Sequence, residues 1–121
     1  MSGIPTRPFG RDGEEVSILC LGGGHIGRAE LEPDEAVRIM HRAIDEGITF
    51  FDNAWEYNER ESERRMGLVL RERREEVFLM TKVCARDRDG ALRQLDESLE
   101  LLQCEHLDLW MFHEVNYGND P

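Results

Sequence analysis

Lysine is nearly missing from this sequence. Of 15 basic residues in the 121-residue chain, 14 are arginine and one, Lys82, is lysine. Basic charge as a whole is scarce: 26 acidic residues leave a net charge of −11, which argues against nucleic acid and anionic membrane as partners. Cysteine is limited to Cys20, Cys84 and Cys104, an odd number with no CxxC spacing. No disulfide framework and no metal site are expected from that spacing, and the simplest reading is a reduced, cytoplasmic protein. No apolar run reaches membrane-spanning length. The opening Met-Ser-Gly-Ile-Pro-Thr-Arg-Pro lacks the apolar centre of a signal peptide. What remains, 40% apolar and 34% charged, fits one soluble globular domain with a real core.

The lone lysine bears on chemistry. Arginine cannot give up its proton at ordinary pH, whereas lysine responds to its surroundings. A chain that otherwise uses arginine can keep one lysine because a site needs an ammonium group. The alternative is chance within an arginine-rich composition, and the position of Lys82 has to decide.

Taken in order, residues 1–16 are proline, glycine and charge, with Asp12-Gly13 suited to a hairpin turn. Val16 to Leu21 reads as a short strand ending in Gly22-Gly23-Gly24, followed by a loop through His25 and Gly27. Pro33-Asp34-Glu35 carries helix-start signals. Val37, Met40, Ala43 and Ile44 form its inward face, and Gly47 sits where a C-terminal cap belongs. A buried strand, Ile48 to Phe51, ends at Asp52. A second helix is expected from about Ser62 as N-cap, with Met66, Val69 and Leu70 inward. Arg71 to Glu76 reads as a solvated charged turn. The third strand, Val77 to Thr81, runs into Lys82. Asp87 to Gly90 opens a helix with Leu92, Leu95, Leu99 and Leu102 as its inward stripe. The fourth strand, Leu107 to Phe112, closes at His113, and Glu114 to Pro121 is read as loop.

Near-continuous apolar strands alternating with helices imply a parallel sheet with right-handed crossovers. Gly22 to Asp52 is 30 residues, Asp52 to Lys82 is 30 and Lys82 to His113 is 31, about one βαβ step each. Each of these positions falls at the C-terminal end of its strand, so their side chains are expected on one end of the sheet. In a (β/α)8 barrel that end carries catalysis, but a barrel needs about 250 residues. Four strands correspond to its first half.

Asp52, Lys82 and His113 would converge around the loop carrying Tyr57. A free phenol titrates at about 10 and is a poor acid at neutral pH. A neighbouring ammonium favours phenolate, an aspartate holds the ammonium in place, and a histidine can donate a hydrogen bond to a carbonyl oxygen. Together they can protonate an oxygen as negative charge builds on it, a device worth roughly 10²–10⁴-fold. Carbonyl reduction by hydride needs such a device. The set holds no hydride source, so a nicotinamide cofactor would have to be added.

The pattern Gly47-x-x-x-Phe51-Asp52-x-Ala54-x-x-Tyr57, then Ser62-Glu63-x-x-x-Gly67, Thr81-Lys82 and Leu107-Asp108-Leu109-x-x-x-His113 closely resembles the aldo-keto reductases. The resemblance implies a (β/α)8 TIM barrel and NADPH (NADP+)-dependent interconversion of a small-molecule carbonyl and an alcohol. It implies Tyr57 as proton donor, Lys82 tuning it, Asp52 paired to Lys82 and His113 orienting the substrate. It also implies that Gly22, Gly23 and Asp52 lie near the cofactor, and that the first hairpin plugs the barrel bottom. Residues 1–121 then read as the N-terminal part of one oxidoreductase domain, truncated after strand four. Much of the family's cofactor-holding surface lies in the later half, and nothing in this acidic half looks built for an NADPH phosphate; Arg71, Arg73 and Arg74 fall at the opposite end.

Two further readings stand beside it. Gly22-Gly-Gly-His-Ile-Gly27 matches GxGxxG, with Asp52 as a ribose-binding acid of a Rossmann fold. Arg28 to Glu32 intervene before the helix, however, and Tyr57, Lys82 and His113 go unexplained. The other is a truncated, non-catalytic interaction module. A half barrel leaves its first and fourth strands as open edges, so self-association is expected. Taken singly, Asp52 could cap a loop, Lys82 could be solvated, Tyr57 could fill a loop and His113 could bond to backbone. Trp55 is expected near the site and Trp110 in the core. His25, His41 and His106 are expected to be ordinary polar residues, and the cysteines buried or incidental.

Overall fold

The computed structural model describes residues 3–118 and residue 120. An antiparallel hairpin, β1 (Thr6–Phe9) and β2 (Glu14–Ser17), opens the chain. The parallel strands are β3 (Cys20–Gly22), β4 (Phe50–Asp52), β5 (Phe78–Val83) and β6 (Leu109–Phe112), neighbours in chain order. Between them run α1 (Gly23–Ile26), α2 (Pro33–Asp45), α3 (Glu61–Arg73), a 3-10 turn (Arg74–Glu76) and α4 (Arg88–Leu102).

The local signals act much as expected. Pro33 takes the first turn of α2 with Asp34 and Glu35 beside it. Gly47 ends that helix at φ +96°. Its N–H bonds to the Ile44 carbonyl at 3.0 Å and the next N–H, of Ile48, to the Ala43 carbonyl at 2.8 Å, which is a Schellman close. Asp87 caps α4 by accepting from the Gly90 N–H at 2.7 Å.

Several boundaries differ. The apolar run Val16 to Leu21 is not one strand: Ser17 ends β2, and the chain resumes as β3 at Cys20. Ser17 Oγ accepts from the Thr49 and Phe50 N–H groups, and that side-chain link joins hairpin to sheet. Residues 23–26, read as loop, make a single helical turn. Ser62 is not the N-cap of α3; it lies buried inside the first turn, and Arg60 precedes the helix at φ +76°. The charged stretch 71–76 continues the helix rather than forming a solvated turn. Arg73 bonds to Asp45 and Glu76, and Arg74 to Asp108 and the His106 carbonyl.

Strand β5 alternates strictly in burial: Leu79, Thr81 and Val83 are buried against the helices, while Phe78, Met80 and Lys82 face the other way. Phe51 joins the helix-facing side. Together with Met40, Ala43 and Ile44 of α2, Met66, Val69 and Leu70 of α3 and Leu102 of α4 it builds the core between sheet and helices. Each fully buried side chain of this size contributes about 1.5–3 kcal/mol. The leucine stripe of α4 is only half covered. Leu102 is inaccessible and Leu92 is 43% exposed, because α4 turns Gly90, Ser98 and Leu102 inward. Trp110 is half-buried on β6, which ends the sheet.

The opposite face of the sheet carries two ends of different chemistry. At the N-terminal end, Phe9 of the hairpin meets Phe50 and Phe78 with ring centroids 5.7 and 5.6 Å apart, and Phe50 and Phe78 sit 5.4 Å apart edge to face. The hairpin therefore covers the bottom of the sheet. The other end carries Asp52, Lys82 and His113.

Candidate active site

Parallel pairing sets Gly22 beside Asp52 and Asp52 beside Met80, with Lys82 beside Met111. Lys82 thus lies two residues beyond the partner of Asp52, and His113 two beyond the partner of Lys82. An even offset keeps all three side chains on one face of the sheet.

Tyr57 comes from the loop 53–60, and its position is tightly held. The Asn53 and Trp55 N–H groups extend the β4–β5 ladder to the Met80 and Lys82 carbonyls at 2.9 and 3.1 Å. The buried Asn53 side chain accepts from the Ala54 N–H at 2.9 Å and packs Nδ2 against Met66 Sδ at 3.4 Å. After Tyr57 the backbone takes three consecutive left-handed residues, Asn58, Glu59 and Arg60, at φ 54°, 54° and 76°. Such a turn is costly for L-residues and persists where surrounding bonds over-determine it. Here Asn58 Nδ2 donates to the Gly24 carbonyl at 2.6 Å and to Ser62 Oγ at 2.9 Å. Gly27 lets Ser62 approach, since a Cβ there would lie 2.3 Å from its Oγ.

Lys82 Nζ donates to Asp52 Oδ1 at 2.5 Å, to the Asn53 carbonyl at 2.9 Å and to Tyr57 Oη at 3.2 Å. An ammonium has three donors, and all three are engaged. The Lys82 side chain is 11% exposed and that of Asp52 25%, so the pair is shielded yet reachable. The Tyr57 and His113 rings meet edge to face, centroids 5.4 Å apart. His113 Nδ1 lies 2.7 Å from Glu56 Oε1, which leaves Nε2 for other partners. All four expected catalytic residues therefore gather in one cluster.

The glycines divide. Gly22 is exposed with open space where a side chain would be. Gly23 is buried, and a Cβ there would sit 2.6 Å from the Asp52 carbonyl oxygen. Gly23 is required by packing beneath Asp52.

Sequence reasoning passed over three groups. Glu56, beside Tyr57 in the quoted pattern, holds His113. Glu63, fully inaccessible, accepts from Thr81 Oγ1 at 2.7 Å and Ser98 Oγ at 3.0 Å, joining α3, α4 and β5 behind Lys82. Burial pushes its carboxyl above the usual range. Cys84 Sγ lies 4.0 Å from His113 Nδ1, and burial with the Glu56 carboxylate nearby pushes its thiol up to about 11. Periodicity gives no signal for such contacts, although Ser62-Glu63 stands within the family-like pattern. Trp55 is half-buried beside the site, with Nε1 donating to Glu97 at 3.2 Å and Arg60 over its ring. All three cysteines are free, Cys20 exposed and Cys84 and Cys104 partly buried.

Residues 18–120 match the sequence model of the Aldo/keto reductase family. The chain belongs to that family. It is 30% identical to L-galactose dehydrogenase of Arabidopsis thaliana over 98% of this chain and 41% of that protein. It is 35% identical to the oxidoreductase YrpG of Bacillus subtilis over 89% of this chain and 39% of that protein. In structure it superposes on an aldo-keto reductase from Klebsiella pneumoniae in complex with NADPH with a TM-score of 0.81 at 27% identity, covering 91% of this chain and 39% of that one. This aldo-keto reductase chain thus spans about two fifths of the length of the relatives it matches. Its four-stranded parallel sheet, with strands adjacent in chain order, is half of a (β/α)8 barrel, and the Rossmann reading of Gly22 to Gly27 falls away. Among the described residues no helix is long and apolar enough to cross a membrane.

Proposed function

We propose that this chain supplies the proton-donating part of an NADPH-dependent carbonyl reductase site, within a domain of which residues 1–121 form the N-terminal half. The observation that carries the reading is Lys82 Nζ bonded at once to Asp52 Oδ1 and Tyr57 Oη, at the C-terminal end of the strands. NADPH, when bound, supplies the hydride that converts the carbonyl carbon to an alcohol carbon. Tyr57 Oη gives its proton to the carbonyl oxygen as negative charge builds there. The Lys82 ammonium, held by Asp52 and the Asn53 carbonyl, stabilises the phenolate left behind. His113 Nε2 faces the substrate oxygen and orients it, with Nδ1 anchored on Glu56.

The residues present fit the nicotinamide end of the cofactor. Gly22 leaves open space beside the partly exposed Asp52 carboxylate. Two cations at this end of the sheet are already committed. Lys82 is engaged as described, and Arg86 donates to Asp120 and to the Cys84 and His113 carbonyls. We assign the phosphate contacts to the later part of the domain, as the family resemblance implies.

The test is Tyr57→Phe in the intact protein, assayed by loss of NADPH absorbance against a panel of small aldehydes and ketones. Loss of roughly 10²–10⁴ in kcat with unchanged NADPH affinity is expected. Turnover near that of the unmodified enzyme would remove Tyr57 as the acid.

A further inference from the structure

We propose that Glu56, Cys84 and His113 form a site for a thiophilic divalent cation of the zinc class, sharing His113 with the candidate active site. None of the three stands at metal-ligand spacing in the sequence. The fold brings them together: Glu56 from the loop before α3, Cys84 directly after β5 and His113 directly after β6. One ligand atom of each lies within 4.8 Å of the others. His113 Nδ1 is 2.7 Å from Glu56 Oε1 and 4.0 Å from Cys84 Sγ.

These separations bracket what one tetrahedral ion requires. With zinc bonds of about 2.0–2.3 Å, the nitrogen–oxygen edge is about 3.4 Å and the nitrogen–sulfur edge about 3.6 Å. Opening the first contact by about 0.7 Å and closing the second by about 0.4 Å reaches these values, and the Glu56–Cys84 edge, within 4.8 Å, closes toward about 3.6 Å. The donor set of thiolate, imidazole and carboxylate suits zinc, and cobalt in its place, while magnesium and calcium favour all-oxygen cages. Three protein ligands leave the fourth position to water. The surrounding charge favours a cation: Glu114 and Asp120 line the same cleft, and its one arginine, Arg86, is tied to Asp120.

Binding is written in protons as follows. The Cys84 thiol proton leaves to solvent and the thiolate takes the metal. The His113 Nδ1 proton leaves to solvent or moves to Nε2, so Nδ1 offers its lone pair and Nε2 carries the hydrogen. No oxidant or reductant is involved. Occupancy draws the His113 ring toward the metal by a fraction of an ångström, and misplacing the Nε2 that orients the substrate on that scale makes the cation an inhibitor. That last step rests on the function proposed above; the site itself does not.

The experiment titrates the intact, metal-stripped protein with cobalt(II) alone and records the thiolate-to-cobalt charge-transfer absorption, a readout independent of turnover. One equivalent is expected to produce that band. Cys84→Ser should abolish it and His113→Gln should weaken binding by at least about 10²-fold, more than the loss of an outer-shell partner costs. The Cys20→Ser/Cys104→Ser double variant should keep the band, since neither thiol belongs to the cluster. No band at one equivalent, or a band that survives Cys84→Ser, overturns the site. In a parallel assay, zinc should inhibit carbonyl reduction by the unmodified enzyme at least tenfold more strongly than by Cys84→Ser. Equal inhibition of both overturns the inhibitory role. Absence of any reductase activity instead defeats the proposed function, with the cobalt titration still deciding the site.

Discussion

Lys82 Nζ reaches Asp52 Oδ1 at 2.5 Å although the backbone pairs Asp52 with Met80, two residues earlier on β5. The even offset leaves both side chains on one face, and the length of the lysine side chain spans the stagger. The pair is what makes the lone lysine intelligible. A guanidinium would offer a planar fork in place of three donors directed at a carboxylate, a carbonyl and a phenol.

Asp52→Asn is expected to lower stability as well as turnover, because it leaves the Lys82 ammonium without its counter-charge. Both side chains keep some solvent access, so the loss should fall short of a fully buried pair, at about 1–3 kcal/mol by urea denaturation. The double variant Asp52→Asn/Lys82→Met should recover much of that stability and none of the activity. Additive losses in the double-mutant cycle would mean the two groups do not interact.

The fold was legible in this sequence because its signals are local and repeated. Helix starts at Pro33 and Asp87, the stop at Gly47 and three steps of 30 or 31 residues together indicate a parallel α/β sheet, and the polar strand ends indicate the site. What escaped is what depends on contacts between distant segments. The Val16 to Leu21 run carries no mark that Ser17 turns its hydroxyl to β4 and breaks the strand. Ser62 has cap chemistry, yet Asn58 already bonds its hydroxyl, and the cap position falls two residues earlier, on a left-handed Arg60. The α4 stripe obeys helical period, but which side faces the sheet is decided by Ser98 reaching Glu63.

Glu63 gives the pH dependence its sign. Its folded-state carboxyl sits above the ordinary value of 4.5, mainly through burial. A raised acid contributes stability that is fully present below that value and is lost as pH rises through the folded pKa. Glu63→Gln is therefore expected to gain on the unmodified protein as pH rises from 4.5, by urea titration across that range. Glu63→Ala should cost about 2–4 kcal/mol below pH 4.5, through the cavity and the two stranded hydroxyls, and less as pH rises. Glu61 acts oppositely: Arg64 and Arg65 hold its carboxyl down at about 2. Its contribution is present above 4.5 and is lost as pH falls toward 2. A Glu63→Gln variant that loses stability relative to the unmodified protein as pH rises would refute the assignment.

Gly67 marks where α3 and α4 touch backbone to backbone. A Cβ there would lie 2.0 Å from the Leu101 carbonyl oxygen, and backbone cannot move aside as a side chain tip can. Gly67→Ala is expected to cost about 2–4 kcal/mol, with the proposed carbonyl reduction impaired only in proportion to unfolding. Gly22→Ala, where nothing lies within 4 Å, serves as the matched control and should change stability by less than about 1 kcal/mol. Equal stabilities of the two variants in urea would show that the helices can separate at no cost.

The 121-residue polypeptide by itself poses the last test. Strands β3 and β6 each pair on one side only, and Ile18, Leu19, Leu92, Met111 and Phe112 lie exposed between 38% and 51% around that sheet. Unpaired edges beside apolar side chains offer both hydrogen bonds and buried area to a second copy. The polypeptide is expected to sediment as dimers or larger species at micromolar concentration, with a melting temperature that rises with concentration. The acidic surface works against this, so raising ionic strength, which screens the repulsion, should shift it further toward association. A monomer with a sharp melt independent of concentration and salt would mean that sheet and helices stand alone, with the apolar rim tolerated in water.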